Sequence, residues 1–280
     1  MSSPAVPPAP SGPIAFFGQF GAWTHAAARS VFGPSADYRE SATISAVFDA
    51  VSSGAANFGV VPIENSTEGG VNQTVDELLT RELWIKAEVV LEIAQCLLGL
   101  AEDLSHIERV ASHPQGLAQC RRWLAEHLPN AEQVAALSTS AAARDAAQDP
   151  KLAAISSPLA AELNGLRVLV AGIQDFAENA TRFVVIAKSD APRTGHDKTS
   201  LVFSTAHSRG ALRRVLEIFD QAGLNLSRIE SRPAPSRRWE YVFLTDVEGH
   251  REDDTLAGAL AELERHCSTV RVLGSYPRAT

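Results

Sequence analysis

Cysteine is scarce in this 280-residue chain: Cys96, Cys120 and Cys267 are far apart, odd in number and in no C-x-x-C pair. That pattern suggests neither a disulfide framework nor a zinc site, and it favours a reducing compartment. The histidines form no H-E-x-x-H or other ligand spacing, so no metal is expected. No apolar run approaches the roughly 18 residues of a membrane span. Positive charge is also short. Twenty-five Lys and Arg against 33 Asp and Glu leave a formal charge of −8, whose field repels nucleic acid and anionic membranes, so neither is expected as a partner. A small anion can still be held locally. The opening "MSSPAVPPAPSG" lacks a basic segment followed by an apolar one, so residues 1–12 read as a Pro-rich disordered lead and not as a signal peptide. There is no internal repeat. Together these absences describe a soluble cytoplasmic protein.

What remains is material for a core. With 45% hydrophobic residues over this length, two or three folding units are expected. From residue 13 short β-type runs alternate with amphipathic segments, the pattern of α/β layering. "PIAFFG" reads as a strand, Gly18 and Gly21 as a turn, and the next helix has Thr24 as its candidate cap. "TISAVFDAVSSG" reads as a helix capped by Ser45 and closed at Gly54. In "FGVVPIENSTEGGV" a strand is expected to stop at a polar cluster, Glu64 to Glu68, before "VNQTVDELLT" resumes at helical spacing. "LWIKAEVVLEIAQCLLGL" supplies one or two strands as a crossover between lobes. "RVAS", a helix from "HPQGLAQCRRWLAEHL", "QVAAL", an Ala-rich helix opened by "STS", "LAAIS", a helix closing at Asn164-Gly165, "RVLVAG" and "ENATRFVVIAK" complete two linked α/β lobes.

The polar stretch "KSDAPRTGHDK", residues 188–198, interrupts the periodicity and reads as a linker. Beyond it the order is strand (Thr199 to Ser204), helix (Gly210 to Ala222), strand (Asn225 to Glu230), strand (Trp239 to Val247), helix (Asp254 to His266) and strand (Thr269 to Ser275). That β-α-β-β-α-β order is ferredoxin-like.

The stretches "GVVPIENSTEGGVNQTVDELL", "SHPQGLAQCRRWL", "STSAAAR", "NATRF" and "RGALRRVLEIFDQAGLNLSRIESRP" followed by "WEYVFLTDVEGH" closely resemble the motifs of monofunctional prephenate dehydratases with a C-terminal ACT domain. They occur in order over residues 14 to 276. The resemblance implies a two-lobed, periplasmic-binding-protein-like α/β catalytic region at 13–188 and a ferredoxin-like ACT α+β domain at 199–280. It also implies an activity, loss of water and CO₂ from prephenate to give phenylpyruvate in phenylalanine biosynthesis. Phenylalanine is then the effector, and the assembly a homodimer or homotetramer. No chorismate mutase helices are seen ahead of residue 13.

Aromatisation drives that reaction, so the protein must protonate a poor leaving group and orient the departing carboxylate, with no cofactor required. A strong ion pair to that carboxylate would oppose its loss as neutral CO₂. The resemblance places the essential hydroxyl at Thr181; Arg182 has the planar fork and fixed charge suited to a carboxylate, and Glu64 holds or orients a proton if burial raises its pKa, or else belongs to a cap and turn. The alternative is a polar strand entry with a surface arginine, and on an extended strand Arg182 points away from Thr181. Asn65 and Ser66 are candidate substrate donors, or else a cap and turn. Gln115 is implied as a substrate contact and His113 stays open between contact and helix initiation. Ser138 and Thr139 direct hydroxyls and helix-start N–H groups at a carboxylate, or simply cap a helix. Asn179 and Phe183 complete the implied substrate set. Gln19, Phe20, Ala22 and Trp23 depart from the Gly-Pro-Glu-Gly-Thr-Phe version of the first loop common in the family.

In the ACT-like segment the effector motifs fall on Gly210, Ala211 and Leu212, on Asn225 and Leu226, and on Glu230, Ser231, Arg232 and Pro233, at an interface between two such domains. Arg209 stands where Pro commonly precedes Gly-Ala-Leu. Two other functions fit the same residues: arogenate dehydration, and a non-catalytic amino-acid sensor of similar shape.

Overall fold

The structure is a computed structural model describing residues 12–176, 178–205, 208–233 and 241–279. The predicted Pro-rich lead, Gly12 apart, and the predicted strand start at Trp239 lie outside the described residues. The chain opens with β1 (Ile14–Phe17), α1 (Trp23–Phe32), β2 (Tyr38–Ser41), α2 (Ile44–Ser53), β3 (Phe58–Asn65), β4 (Gly69–Gly70), α3 (Asn72–Thr80) and β5 (Trp84–Glu92). It continues through β6 (Cys96–Gly99), β7 (Arg109–Ser112), α4 (Pro114–Gln119), α5 (Arg121–His127), β8 (Glu132–Ala135), α6 (Thr139–Ala146), β9 (Leu152–Ser156), α7 (Pro158–Asn164), β10 (Arg167–Val170) and β11 (Ala180–Ala187). The C-terminal elements are β12 (Asp197–Thr205), α8 (Ala211–Gln221), β13 (Leu226–Pro233), β14 (Tyr241–Glu248), α9 (Asp254–His266) and β15 (Cys267–Pro277).

Local chemistry explains most boundaries. In α2 the buried residues Ile44, Val47, Phe48 and Val51 recur at one face of a helix, and left-handed Gly54 ends it. Its cap is Thr43, whose hydroxyl accepts from Ala46 N at 3.1 Å, and not the predicted Ser45. Thr24 is likewise not a cap: Ala22 holds that position, and Thr24 is buried within the first turn of α1. The single helix predicted from "HPQGLAQCRRWLAEHL" breaks at Cys120 into α4 and α5. The strand β3 does not stop at the polar cluster but runs through Glu64 and Asn65.

Three sheets result, ordered β2-β1-β3-β11-β5 with β4 paired to β3, β10-β6-β9-β7-β8, and β13-β14-β12-β15. The first sheet pairs β1 in parallel with β2 and β3. In the second, β7 runs parallel to β8 and β9 while β6 runs antiparallel to β9 and β10. The chain enters the second sheet after β5 and returns at β11, so two crossovers join two α/β lobes, the layout expected of a periplasmic-binding-protein-like region. The crossovers are bonded to each other: Ile93 N donates to Asn179 O at 2.7 Å and Ile173 N to Gln95 O at 2.9 Å. The second sheet buries one core under α6 and α7, around Leu98, Ala142 and Ala154, and another under α4 and α5, around Leu97, Val110 and Leu124.

By compactness the chain divides into one unit holding residues 12–75 and Val89–Phe183, and another holding Asp76–Glu88 and residues 184–279. The first contains both lobes. In the second, the antiparallel sheet β13-β14-β12-β15 carries α8 and α9 over a core of Leu201, Phe203, Val215, Phe219, Val247, Leu256 and Leu263. This is the ferredoxin-like α+β order predicted for it. The opposite face of that sheet meets the segment Asp76–Glu88. Gly274 has no side chain because a Cβ there would collide with the Ile85 backbone, and Lys198 Nζ lies 2.9 Å from Glu88 Oε1. The predicted linker is firmly bonded: Asp197 accepts from Thr194 N at 2.8 Å and Gly195 N at 3.0 Å, and Asp190 accepts from Ser275 N at 3.0 Å.

Candidate active site

A cavity of about 560 Å³ opens within the first unit, lined from both lobes. Its walls follow the twofold period of the strands that build it. On and beside β11, Asn179, Thr181 and Phe183 line the cavity while Arg182 does not; at the end of β3, Asn65 lines it while Glu64 does not. Arg182 and Glu64 instead face each other on the other side of the sheet, with Arg182 Nη2 3.2 Å from Glu64 Oε2. Thus two residues predicted as catalytic form an ion pair behind the wall that carries the third.

Asn65 is the hub. Its Oδ1 accepts from Thr67 N at 2.9 Å and Glu68 N at 3.1 Å, which fixes the amide so that Nδ2 faces the other way. That Nδ2 donates to Asn179 Oδ1 at 2.9 Å and to Thr181 Oγ1 at 2.8 Å. Thr67 Oγ1 adds a bond to Asn179 Oδ1 at 3.1 Å. Because the Thr181 oxygen accepts from Asn65, its own proton is left to donate, and Thr181 lies on the cavity wall. Ser66, predicted beside Asn65 as a substrate donor, is not on that wall; it accepts from Ala180 N at 2.9 Å and donates to Glu178 O at 3.1 Å, anchoring the start of β11.

The second lobe supplies the opposite wall. Ser138 caps α6, accepting from Ala141 N at 3.0 Å, and Ser138, Thr139 and Ser140 all line the cavity at this helix N-terminus, where N–H groups favour an anion. His113 caps α4, its Nδ1 accepting from Gln115 N at 3.3 Å, and both residues line the cavity. Two polar bridges join the lobes across it. Gln115 Nε2 donates to Glu68 Oε1. Ser138 Oγ and Arg144 Nη2 donate to Gln19 Oε1 at 2.9 and 3.0 Å.

The first loop, despite its departures from the family version, contributes Gln19, Ala22 and Trp23 to the lining. Gly21 is required there: its φ is +86°, and a Cβ would press on Ala160 Cα at 3.0 Å. The loop is also held by His25, whose Nδ1 accepts from Gly21 N at 3.2 Å and whose ring stacks on Phe16. Burial, aided by the Arg29 charge, pushes the His25 pKa down to about 4, so the ring is a neutral acceptor. Gln95 and Gln119, bonded to each other at 3.1 Å, and Glu68 also line the cavity. Sequence reasoning did not nominate these three. For Glu68 a signal existed, its place in the same polar cluster as Asn65, whereas the glutamines meet only through packing of the crossover. Trp23 Nε1, Gln95 Oε1 and Ser140 Oγ are buried without a hydrogen-bond partner among the described residues, and a polar ligand in the cavity would supply one.

In the second unit the predicted effector residues serve several purposes. Gly210, at φ +76°, precedes α8 and Ala211 opens it. Leu212 and Leu226 pack against the core, and Asn225 Nδ2 donates to Glu248 Oε1 at 3.0 Å. Glu230 accepts from Arg228, and Arg232 Nη2 lies 2.9 Å from Asp76 Oδ1, so both charged side chains are engaged within the unit. Ser231 and Pro233 lie on β13, the end strand of its sheet.

Two α/β lobes around a polar cavity, followed by a ferredoxin-like domain, define a two-lobed α/β protein with an appended α+β module. Residues 14–191 match the family model for prephenate dehydratase and residues 199–265 that for the ACT domain, so the chain belongs to the prephenate dehydratase family. It is 42% identical over 266 residues to a bifunctional chorismate mutase/prephenate dehydratase of Aquifex aeolicus (strain VF5), covering 95% of this chain and 74% of the relative. Among solved structures it is similar to prephenate dehydratase from Arthrobacter aurescens in complex with L-Phe, at 40% identity and a TM-score of 0.84 over 95% of this chain and 90% of that one. It is also similar to GqqA, described as a novel type of quorum quenching acylase, at 32% identity and a TM-score of 0.85 over 95% and 98%. No helix among the described residues is long and apolar enough to cross a membrane.

Proposed function

We propose that the cavity converts prephenate to phenylpyruvate, with Thr181 donating a hydrogen bond to the departing ring hydroxyl. The observation that carries this reading is the 2.8 Å bond from Asn65 Nδ2 to Thr181 Oγ1, which leaves the Thr181 proton as the donor on the wall. A threonine hydroxyl is a very weak acid, so it acts by hydrogen bonding as the leaving oxygen gains charge. The C–C bond to the ring carboxylate breaks to give CO₂, the electron pair enters the ring, and the C–O bond breaks with the oxygen leaving as water after taking one proton from solvent. The α6 N-terminus, with Ser138 and Thr139, holds the side-chain carboxylate. No Lys or Arg is among the described lining residues, which leaves the departing carboxylate without a ground-state ion pair to oppose its loss. Asn65 and Asn179 position Thr181, Phe183 offers the ring an apolar surface, and Gln115 contacts substrate from the second lobe. Arg182 and Glu64 act on the wall from behind.

Residues 13–188 are assigned to catalysis and 199–280 to regulation. Phenylalanine is the effector, a reading supported by the L-Phe complex of the Arthrobacter relative and by the ACT match. The protein is read as cytoplasmic, and as a homodimer or homotetramer paired through its ACT domains. The test follows phenylpyruvate and CO₂ formation from prephenate by the full-length protein, with and without phenylalanine. Stoichiometric release of both, altered by phenylalanine, is expected; phenylalanine binding without turnover would leave the amino-acid sensor. The likeness to GqqA makes amide cleavage a second reading, and release of acid from an N-acylated substrate by the same preparation would favour it.

A further inference from the structure

The first loop and the start of α6 meet at one corner of the cavity. Gln19 Oε1 accepts from Ser138 Oγ at 2.9 Å, and Gly21 O accepts from Ser157 Oγ of the second lobe at 2.6 Å, so the loop is pinned at two points. Ser138 is then fully engaged, because its oxygen also accepts from Ala141 N. Directly after the pinned loop, Trp23 opens α1. Trp23 and Ser140 both line the cavity, and each presents a buried donor, Nε1 and Oγ, with no hydrogen-bond partner among the described residues. Ser140 is 1% exposed.

An unpaired buried donor is costly, so two of them on one cavity wall define what a ligand must bring. An indole N–H can only donate, which excludes an ammonium as its partner. A carboxylate offers two acceptor oxygens, and the α6 N-terminus that carries Ser140 favours an anion. Of prephenate's two carboxylates, the ring one must leave as CO₂ and is better left loosely held, whereas the side-chain one persists in the product. We infer that Trp23 is a substrate-binding residue whose indole N–H, with the Ser140 hydroxyl, seats the side-chain carboxylate between the lobes. The inference rests on the dehydratase reading. It belongs to this chain's own loop, since the Gly-Pro-Glu-Gly-Thr-Phe version has phenylalanine in place of Trp23, and phenylalanine has no such donor. The side-chain carboxylate is the same before and after reaction. Trp23 therefore contributes to affinity and not to the rate of the chemical step.

The experiment compares the full-length protein with Trp23→Phe, which keeps an aromatic ring at the start of α1 and removes the N–H. Steady-state turnover of prephenate gives KM and kcat. Phenylpyruvate serves as competitive inhibitor, because it keeps the side-chain carboxylate and lacks both the ring carboxylate and the hydroxyl. We expect KM for prephenate and the inhibition constant of phenylpyruvate to rise together by about tenfold, the scale of one charge-assisted hydrogen bond, with kcat within about twofold of the natural value. Ser140→Ala, which removes the other donor with little change in volume, should raise both constants in the same way. Unchanged constants in either variant would overturn the paired seat and leave the dehydratase reading intact. So would a rise in KM without matching loss of phenylpyruvate affinity, which would move Trp23 to the ring end of the substrate, or a fall in kcat with KM unchanged. Absence of prephenate turnover by the natural protein would remove the dehydratase reading, and this inference with it.

Discussion

The cavity proposed as catalytic and the polar face of the ACT sheet use side-chain chemistry in opposite ways. The cavity wall that carries Thr181 is built of neutral groups, Asn65, Asn179 and Thr181, linked by bonds of 2.8 to 2.9 Å. The ACT sheet face that meets the segment Asp76–Glu88 is built of charges: Lys198 with Glu88, Arg228 with Glu230, and Arg232 with Asp76. The same alternation of strands sorts both. On β11 it turns Thr181 inward and Arg182 to Glu64; on β13 it sends Arg228, Glu230 and Arg232 to one face while Ile229 and Ser231 take the other. For the proposed reaction, which binds a charged molecule and loses a carboxylate as CO₂, neutral donors are favourable, since strong ion pairs would stabilise the ground state. A face that must keep one segment in register gains from paired charges, whose rupture leaves a buried ion unpaired.

If that contrast is right, substitutions should separate rate from stability. The largest effect is expected from Thr181→Val, which keeps shape and removes the hydroxyl: kcat should fall by roughly 10³, within the range for loss of one proton-transfer group, with thermal stability little changed. Near-normal turnover in the folded variant would break the contrast on the catalytic side. On the other side, Glu88→Gln should cost about 3 kcal/mol in urea unfolding, because Glu88 is 9% exposed and also accepts from Ala279 N at 3.0 Å. Unchanged stability would mean these charges do not hold the segment.

Acidification sharpens the comparison, because His25 is a buried titratable group that props the cavity loop. Its folded pKa of about 4 lies below the ordinary 6.5. The unfolded chain therefore takes up a proton first. Stability is complete above pH 6.5 and falls as pH drops towards 4, by at most about 3 kcal/mol from this group. His25→Gln should flatten that part of the stability curve; an identical slope in the variant would assign the acid lability elsewhere. The smallest effect belongs to Asp76→Asn. Its side chain is 49% exposed beside Arg232, so unfolding should shift by less than about 1 kcal/mol.

Much of this was legible in the sequence where periodicity governs. The strand β11, the helix α2 ending at Gly54 and the β-α-β-β-α-β order all follow from local patterns that packing does not override. The opposed faces of Thr181 and Arg182 follow from strand geometry alone. The parallel split of Asn65 from Glu64 did not emerge, because the polar run beyond Ile63 hid the continuation of β3. Helix starts were less legible where several hydroxyls compete, as Thr43 and Ser45 do, since the winner is set by backbone angles at the turn. Least legible were Gln19, Gln95 and Gln119. Each sits far in sequence from Thr181, and only the meeting of two lobes brings them to one cavity.

The central claim is that Asn65 acts through Thr181, occupying its oxygen so that its proton turns to the substrate. A double-mutant cycle in kcat tests it directly, comparing Asn65→Ala, Thr181→Val and the pair with the natural protein on prephenate. The account predicts strong non-additivity: once the Thr181 hydroxyl is gone, removing the Asn65 amide should change kcat by less than about threefold, although alone it costs far more. Full additivity, with each substitution multiplying the loss caused by the other, would contradict it and make Asn65 an independent contact to the substrate.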